Sequence, residues 1–126
     1  MAMTAAKADP VERLDGDVAA ACLFHGLGDP HRVAILRHLA AGEHRVVDLT
    51  EHLGLAQSTV SKHLACLRDC GLVSCRPQGR ASLWSLTHSE ELDRLWAAAE
   101  ALLGLTAEQM VACPRHGAAV VDGAGR

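Results

Sequence analysis

The chain has 126 residues, 49% of them hydrophobic, with a formal net charge of −3, five cysteines and eight histidines. That length supports one domain around one modest core, and no run approaches the ~18 apolar residues of a membrane span. Met1–Asp15 lacks the basic flank and apolar core of a secretory signal. The expected compartment is therefore the cytoplasm, where thiols stay reduced and cysteines serve metal or redox chemistry more than disulfides.

Residues 1–9 are small and polar and are expected to be disordered; residues 10–103 are expected to form the domain, and residues 104–126 a tail. Val11, Leu14, Val18, Ala21 and Cys22 predict a helix over Val11–Gly26. Asp29-Pro30 is a helix start, Asp as N-cap and Pro at the first helical position, opening a helix with Val33, Leu36 and Leu39 inward that stops near Gly42. Val46–Leu53 places Val46, Leu49 and Leu53 on one face, and Gly54 breaks it. Gln57–Asp69 carries Val60, Leu64 and Leu67 at helical spacing and ends before Gly71. These two helices, joined by Gly54-Leu55-Ala56, match a helix-turn-helix.

Leu72–Arg76 and Ala81–Leu86 read as strands around a Pro77–Arg80 turn, which is the wing of a winged helix. Thr87-His88-Ser89-Glu90 has the form of a capping box, opening a helix whose stripe is Leu92, Leu95, Trp96, Ala99, Leu102 and Leu103. The expected fold is mainly α with a small β-hairpin: a winged helix-turn-helix that dimerises through this last helix and the first. Helix signals weaken from Gly104 onward.

The net acidity hides an asymmetry. Gln57–Arg80 holds Lys62, Arg68, Arg76 and Arg80 against the single acid Asp69, a local basic patch on an acidic body. A recognition helix needs short polar or basic side chains near its N-terminus to meet base edges and phosphates. Gln57, Ser58, Thr59, Ser61, Lys62 and His63 supply them, and Arg76 and Arg80 flank the wing turn. The expected partner is double-stranded operator DNA. No nucleophile–base set, phosphate loop or carboxylate pair suggests an enzyme.

Leu27–Leu36, Asp48–Gly54, Gln57–Leu64 and the Gly71-Leu72-Val73 and Gly79-Arg80 marks of the wing together resemble the ArsR/SmtB family, over about Val18 to Leu103. The resemblance implies a homodimeric repressor that binds an inverted repeat when metal-free, releases it on binding metal, and thereby controls efflux or resistance genes.

Cys66 and Cys70 lie four apart on the recognition helix, so they sit about 40° apart and one turn above each other. Their Cβ atoms are expected about 6 Å apart, and rotamer choice can bring the sulfurs to the roughly 4 Å separation of two thiolates on one metal. Thiolates favour soft or borderline ions, so the pair supplies two ligands of a soft-metal site and leaves a third to be found. The arrangement is similar to the CmtR-type cadmium and lead sensors of the family, in which the resemblance makes a tail cysteine, here Cys113, the third ligand. Cadmium or lead is the expected effector, with zinc, trivalent arsenic or thiol oxidation as alternatives. Two other branches fit less well: the last helix offers Asp93 and Glu100 without an internal His, and Asp48–Glu51 contains no thiol. Cys22 reads as packing on the first helix, Cys75 has no assigned role, His116 reads as a solvated tail residue, and the histidines other than His63 read as surface.

Overall fold

A computed structural model describes the backbone of residues 10–112 and side chains from 15 to 110. The segment 1–9, Cys113 and His116 lie outside the described residues. The order of elements is α1 (Pro10–Leu27), α2 (Pro30–Ala40), β1 (His44–Arg45), α3 (Val46–Leu53), α4 (Gln57–Asp69), β2 (Val73–Gln78), β3 (Ala81–Leu86) and α5 (Ser89–Ala112). The chain divides into two compact units, Met1–His88 and Ser89–Arg126.

Local chemistry sets the helix ends in the first unit. The Asp29 carboxylate accepts the N–H groups of His31 at 2.8 Å and Arg32 at 3.2 Å, capping α2 as its Asp-Pro start predicts. The Arg45 N–H donates to Asp48 at the start of α3. Gly54, with φ +66, ends α3 in the left-handed conformation that a residue without Cβ adopts freely, and its N–H returns to the Thr50 carbonyl. The chain is thereby turned into α4, as the helix-turn-helix reading requires.

Val60, Leu64 and Leu67 of α4 are fully buried, together with Ile35 and Leu36 of α2 and Leu49 of α3. Ile35 takes the inward place expected of Val33, which is half-buried. Burial of this kind stabilises by about 1.5–3 kcal/mol per large side chain. It is what holds α4 at a fixed angle on the domain.

The sheet has order β1-β3-β2, all antiparallel. The short strand β1 is absent from the sequence expectation; it pairs His44 with Trp84 and Arg45 with Leu83. The wing also differs at its tip. β2 runs through Pro77 to Gln78, and the turn is only Gly79-Arg80, with Gly79 at φ +61. Proline is tolerated here because β2 is an outer strand and need not donate from both edges.

The expected capping box at Thr87–Glu90 does not form as such: the Thr87 hydroxyl donates to the Gly71 carbonyl at 2.6 Å, and its N–H donates to Leu72. Thr87 thus closes the base of the wing instead of opening the last helix.

In the second unit, α5 continues past the expected limit near residue 103 to Ala112. A lone Gly104 costs only about 1 kcal/mol in a helix, and the Leu, Ala, Glu and Met residues around it are strong helix formers. Leu102, Leu103 and Leu105 are 61%, 45% and 82% exposed, so the helix presents a large unburied apolar surface. No described helix is long and apolar enough to cross a membrane.

Candidate nucleic-acid interface and thiol pocket

At 100° per residue, α4 has three distinct sides. Val60, Leu64 and Leu67 form the buried side. Gln57, Ser58, Ser61 and Lys62 are exposed together on another, with Thr59 half-buried at its edge. Cys66, Cys70 and His63 fall on the flank between them. The first set suits DNA contact: Gln can bridge an adenine edge, Ser and Thr can reach bases or phosphates, and Lys62 can neutralise a phosphate.

Several basic residues of the patch have partners within the protein. The His63 ring is half-buried rather than presented with its polar neighbours, with Nε2 3.9 Å from the Asp29 carboxylate and Nδ1 3.5 Å from the Arg32 guanidinium. Arg68 lies over the Trp84 ring, 5.8 Å from its centroid. Arg76 is held by Glu43 through two hydrogen bonds, of 2.9 and 3.0 Å. This contact raises the Arg76 pKa and lowers that of Glu43, in each case chiefly through the hydrogen bond.

Arg80 opens onto a cleft of about 400 Å³ that it shares with Gln57 and Arg45. Arg45 is a functional candidate that the sequence reading missed. Its signal is a basic residue just before the helix-turn-helix, legible only once β1 places it beside the wing.

The thiols occupy a second cleft, of about 550 Å³, whose lining includes Cys22, His25, Cys66 and Cys70 over an apolar wall of Val18 and Ala21. The helix of α4 ends at Asp69, but the Cys70 N–H still donates to the Cys66 carbonyl at 3.0 Å, so the pair keeps its one-turn relation. Cys66 is half-buried and Cys70 exposed. Partial burial raises the Cys70 pKa; the adjacent Cys66 thiol, as charge and as hydrogen-bond partner, and then Cys22 push it the same way, while Arg32 opposes them. Cys22 is exposed on the cleft wall of the single chain. Cys75 is exposed on β2.

Arg32 links these features. Its Nε donates to the Gly26 carbonyl at 2.5 Å and its guanidinium to the His25 carbonyl at 3.1 Å, so it holds the end of α1 beside α4. Asp29, His31 and His63 bring potential ligand atoms within 4.8 Å of one another. Asp29 already accepts two N–H groups there and Arg32 faces His63, so the group works as a polar latch. Burial pushes the Asp29 carboxyl up, but the N–H groups of Arg32 and His31 and the neighbouring His63 and Arg32 outweigh it, and its pKa lies below the ordinary value.

The remaining histidines are not simply scattered over the surface. His38, His44 and His52 gather with ring centroids 5.1–6.5 Å apart, and His44 Nδ1 lies 2.8 Å from the Gly42 carbonyl.

A helix-turn-helix whose second helix exposes a polar face beside an arginine-flanked wing defines a DNA-binding regulator of the winged-helix class. Residues 29–74 match the family described as bacterial regulatory protein, arsR family. The chain is 38% identical over 91 residues to the HTH-type transcriptional regulator CmtR of Mycobacterium tuberculosis, covering 72% of this chain and 77% of that one. It is 41% identical over 63 residues to the probable mercury resistance operon repressor of Streptomyces lividans, covering 50% of each, so it spans about half the length of that relative. Among solved structures, a homodimeric winged helix-turn-helix DNA-binding domain of Mycobacterium bovis, a possible ArsR-family regulator, superposes with TM-score 0.64 at 26% identity, covering 78% of this chain and 88% of that one. The protein belongs to the arsR family of bacterial regulators, a family of DNA-binding proteins and not of enzymes.

Proposed function

We propose that this protein is a metal-responsive transcriptional repressor that binds its operator as a metal-free homodimer and is released by a soft, thiophilic metal ion. The observation that carries the reading is the division of α4: its exposed polar side and its two thiols share one helix. An ion gripped by Cys66 and Cys70 acts directly on the element that meets DNA.

The dimer forms through the exposed apolar residues of α5, with Val18 and Phe24 of α1 offering a second apolar surface. It sets two recognition helices about 34 Å apart, one turn of an inverted repeat. Gln57, Ser58, Thr59, Ser61 and Lys62 enter the major groove, and Arg45, Arg76 and Arg80 meet phosphates or the minor groove. His63 positions α4 through Asp29 and does not read bases.

Cadmium, lead and mercury suit a thiolate pair; the first two follow from the CmtR-like ligand pattern and the third from the mercury repressor relative. Cys113 remains the tail's candidate for a third ligand. Metal lowers operator affinity only by preferring the DNA-incompetent state, and a tenfold loss needs about 1.4 kcal/mol of that preference. The regulated genes are then those of metal efflux or resistance.

The test is fluorescence anisotropy of a labelled operator, titrated with cadmium, lead, mercury, zinc and arsenite. Cys66→Ser and Cys70→Ser retain operator binding and lose release by the active ion. If both variants release DNA at the same metal concentration as the native protein, the thiol pair is not the sensor. Release by peroxide without any response to metal assigns the pair to redox sensing instead.

A further inference from the structure

We propose that Cys22 of the first helix is the third thiolate of the soft-metal site, with His25 placed to supply a fourth ligand. This rests on the reading of Cys66 and Cys70 as metal ligands.

The observation is two ligand pairs, one from α1 and one from the end of α4, that line one cleft. Cys22 and His25 are three apart on α1, and Cys66 and Cys70 are four apart at the end of α4, so each pair projects from one side of its helix. All four line the same cleft. Gly26, one turn after Cys22, is buried, and the Cys70 sulfur lies 3.1 Å from the point where a Cβ on Gly26 would stand. The absence of a side chain there is what lets the Cys70 thiol approach the backbone of α1.

Three thiols and an imidazole match the Cys3His donor set of tetrahedral sites for borderline and soft divalent ions. On binding, each thiol loses its proton to solvent, and three thiolates around a divalent ion leave one net negative charge. Arg32, fixed to the carbonyls of His25 and Gly26 at the edge of the cleft, is positioned to offset it. The apolar wall of Val18 and Ala21 keeps that attraction from being fully screened by water. In this arrangement the metal ties α1 to the recognition helix, and the signal passes through a helix pair without needing the tail.

The experiment titrates the full-length reduced protein with cadmium ion and reads the ultraviolet sulfur-to-metal charge-transfer absorbance per protomer. Cys22→Ser is expected to remove about one third of the band and to weaken cadmium at least about tenfold. Cys75→Ser, on the wing, serves as the control that keeps the full band. Circular dichroism of each variant verifies that the fold is retained. If Cys22→Ser keeps the full band and native affinity, while Cys113→Ser loses one third, the third ligand is in the tail and the proposal is overturned. Loss of band in both variants means four thiolates and sustains the role of Cys22. If Cys66→Ser and Cys70→Ser also keep the full band, the underlying metal site fails, an outcome distinct from failure of Cys22 alone.

Discussion

Glu43 holds Arg76 as a phosphate would, with two carboxylate oxygens on the guanidinium at 2.9 and 3.0 Å. Both side chains are solvent-exposed, so the pair adds little to the stability of the fold; under the proposed function, Glu43 competes with DNA phosphate for Arg76. Glu43→Gln removes the competing charge. Operator affinity is expected to rise about two- to fivefold at low salt, and the plot of log affinity against log salt to steepen by about one unit per half-site. Anisotropy titrations over a salt series measure both; an unchanged slope would show that Arg76 does not reach DNA.

Gly26→Ala separates helix stability from metal affinity. Alanine is better than glycine in a helix by about 0.5–1 kcal/mol, so the melting temperature is expected to hold or rise. The new methyl group meets the Cys70 sulfur at 3.1 Å and must displace it by a few tenths of an ångström. Cadmium affinity is then expected to fall several-fold although no ligand is lost. Thermal melts beside cadmium titrations check the two opposite directions, and an affinity equal to the native one would mean that the Cys70 sulfur does not depend on that contact.

Asp29 makes an acid-side contribution to stability. Its folded pKa lies below the ordinary carboxylate value, so the stabilisation is fully present above that ordinary value and is lost as pH falls through the lower, folded one. Asparagine also caps helices well, so Asp29→Asn is expected to cost no more than about 1 kcal/mol at pH 7, against about 0.5–2 kcal/mol for Asp29→Ala. The variant lacks the carboxylate's share of the stability that is lost as pH falls below the ordinary carboxylate range. Urea unfolding across that range tests this; identical pH profiles for native and Asn proteins would remove Asp29 from the account.

Much of the scaffold is legible in the sequence because it depends on neighbours along the chain. Val60, Leu64 and Leu67 announce the buried side of α4 by spacing, Gly54 marks a turn that needs positive φ, and Asp29-Pro30 marks a helix start. What escapes depends on contacts distant in sequence. A two-residue strand such as β1 is too short for any periodicity, so Arg45 could not be placed beside the wing. Pro77 suggests a turn until the sheet order shows it on an outer strand. Cys22 sits on an apolar stripe like any packing residue, and only the approach of α4 at Gly26 brings it to the thiols. His63 has the polar character of its neighbours, but its angular position sends it to Asp29.

The segregation of α4 into separate sides bears on how such a sensor can diverge. Under the proposed function, its thirteen residues carry the core, the operator contacts and the start of the effector site on separate sides of one helix. Substitution along the flank can retune the inducer while the operator and the fold stay constant. On that reading, a regulator with this helix can exchange its inducer without first acquiring a new promoter.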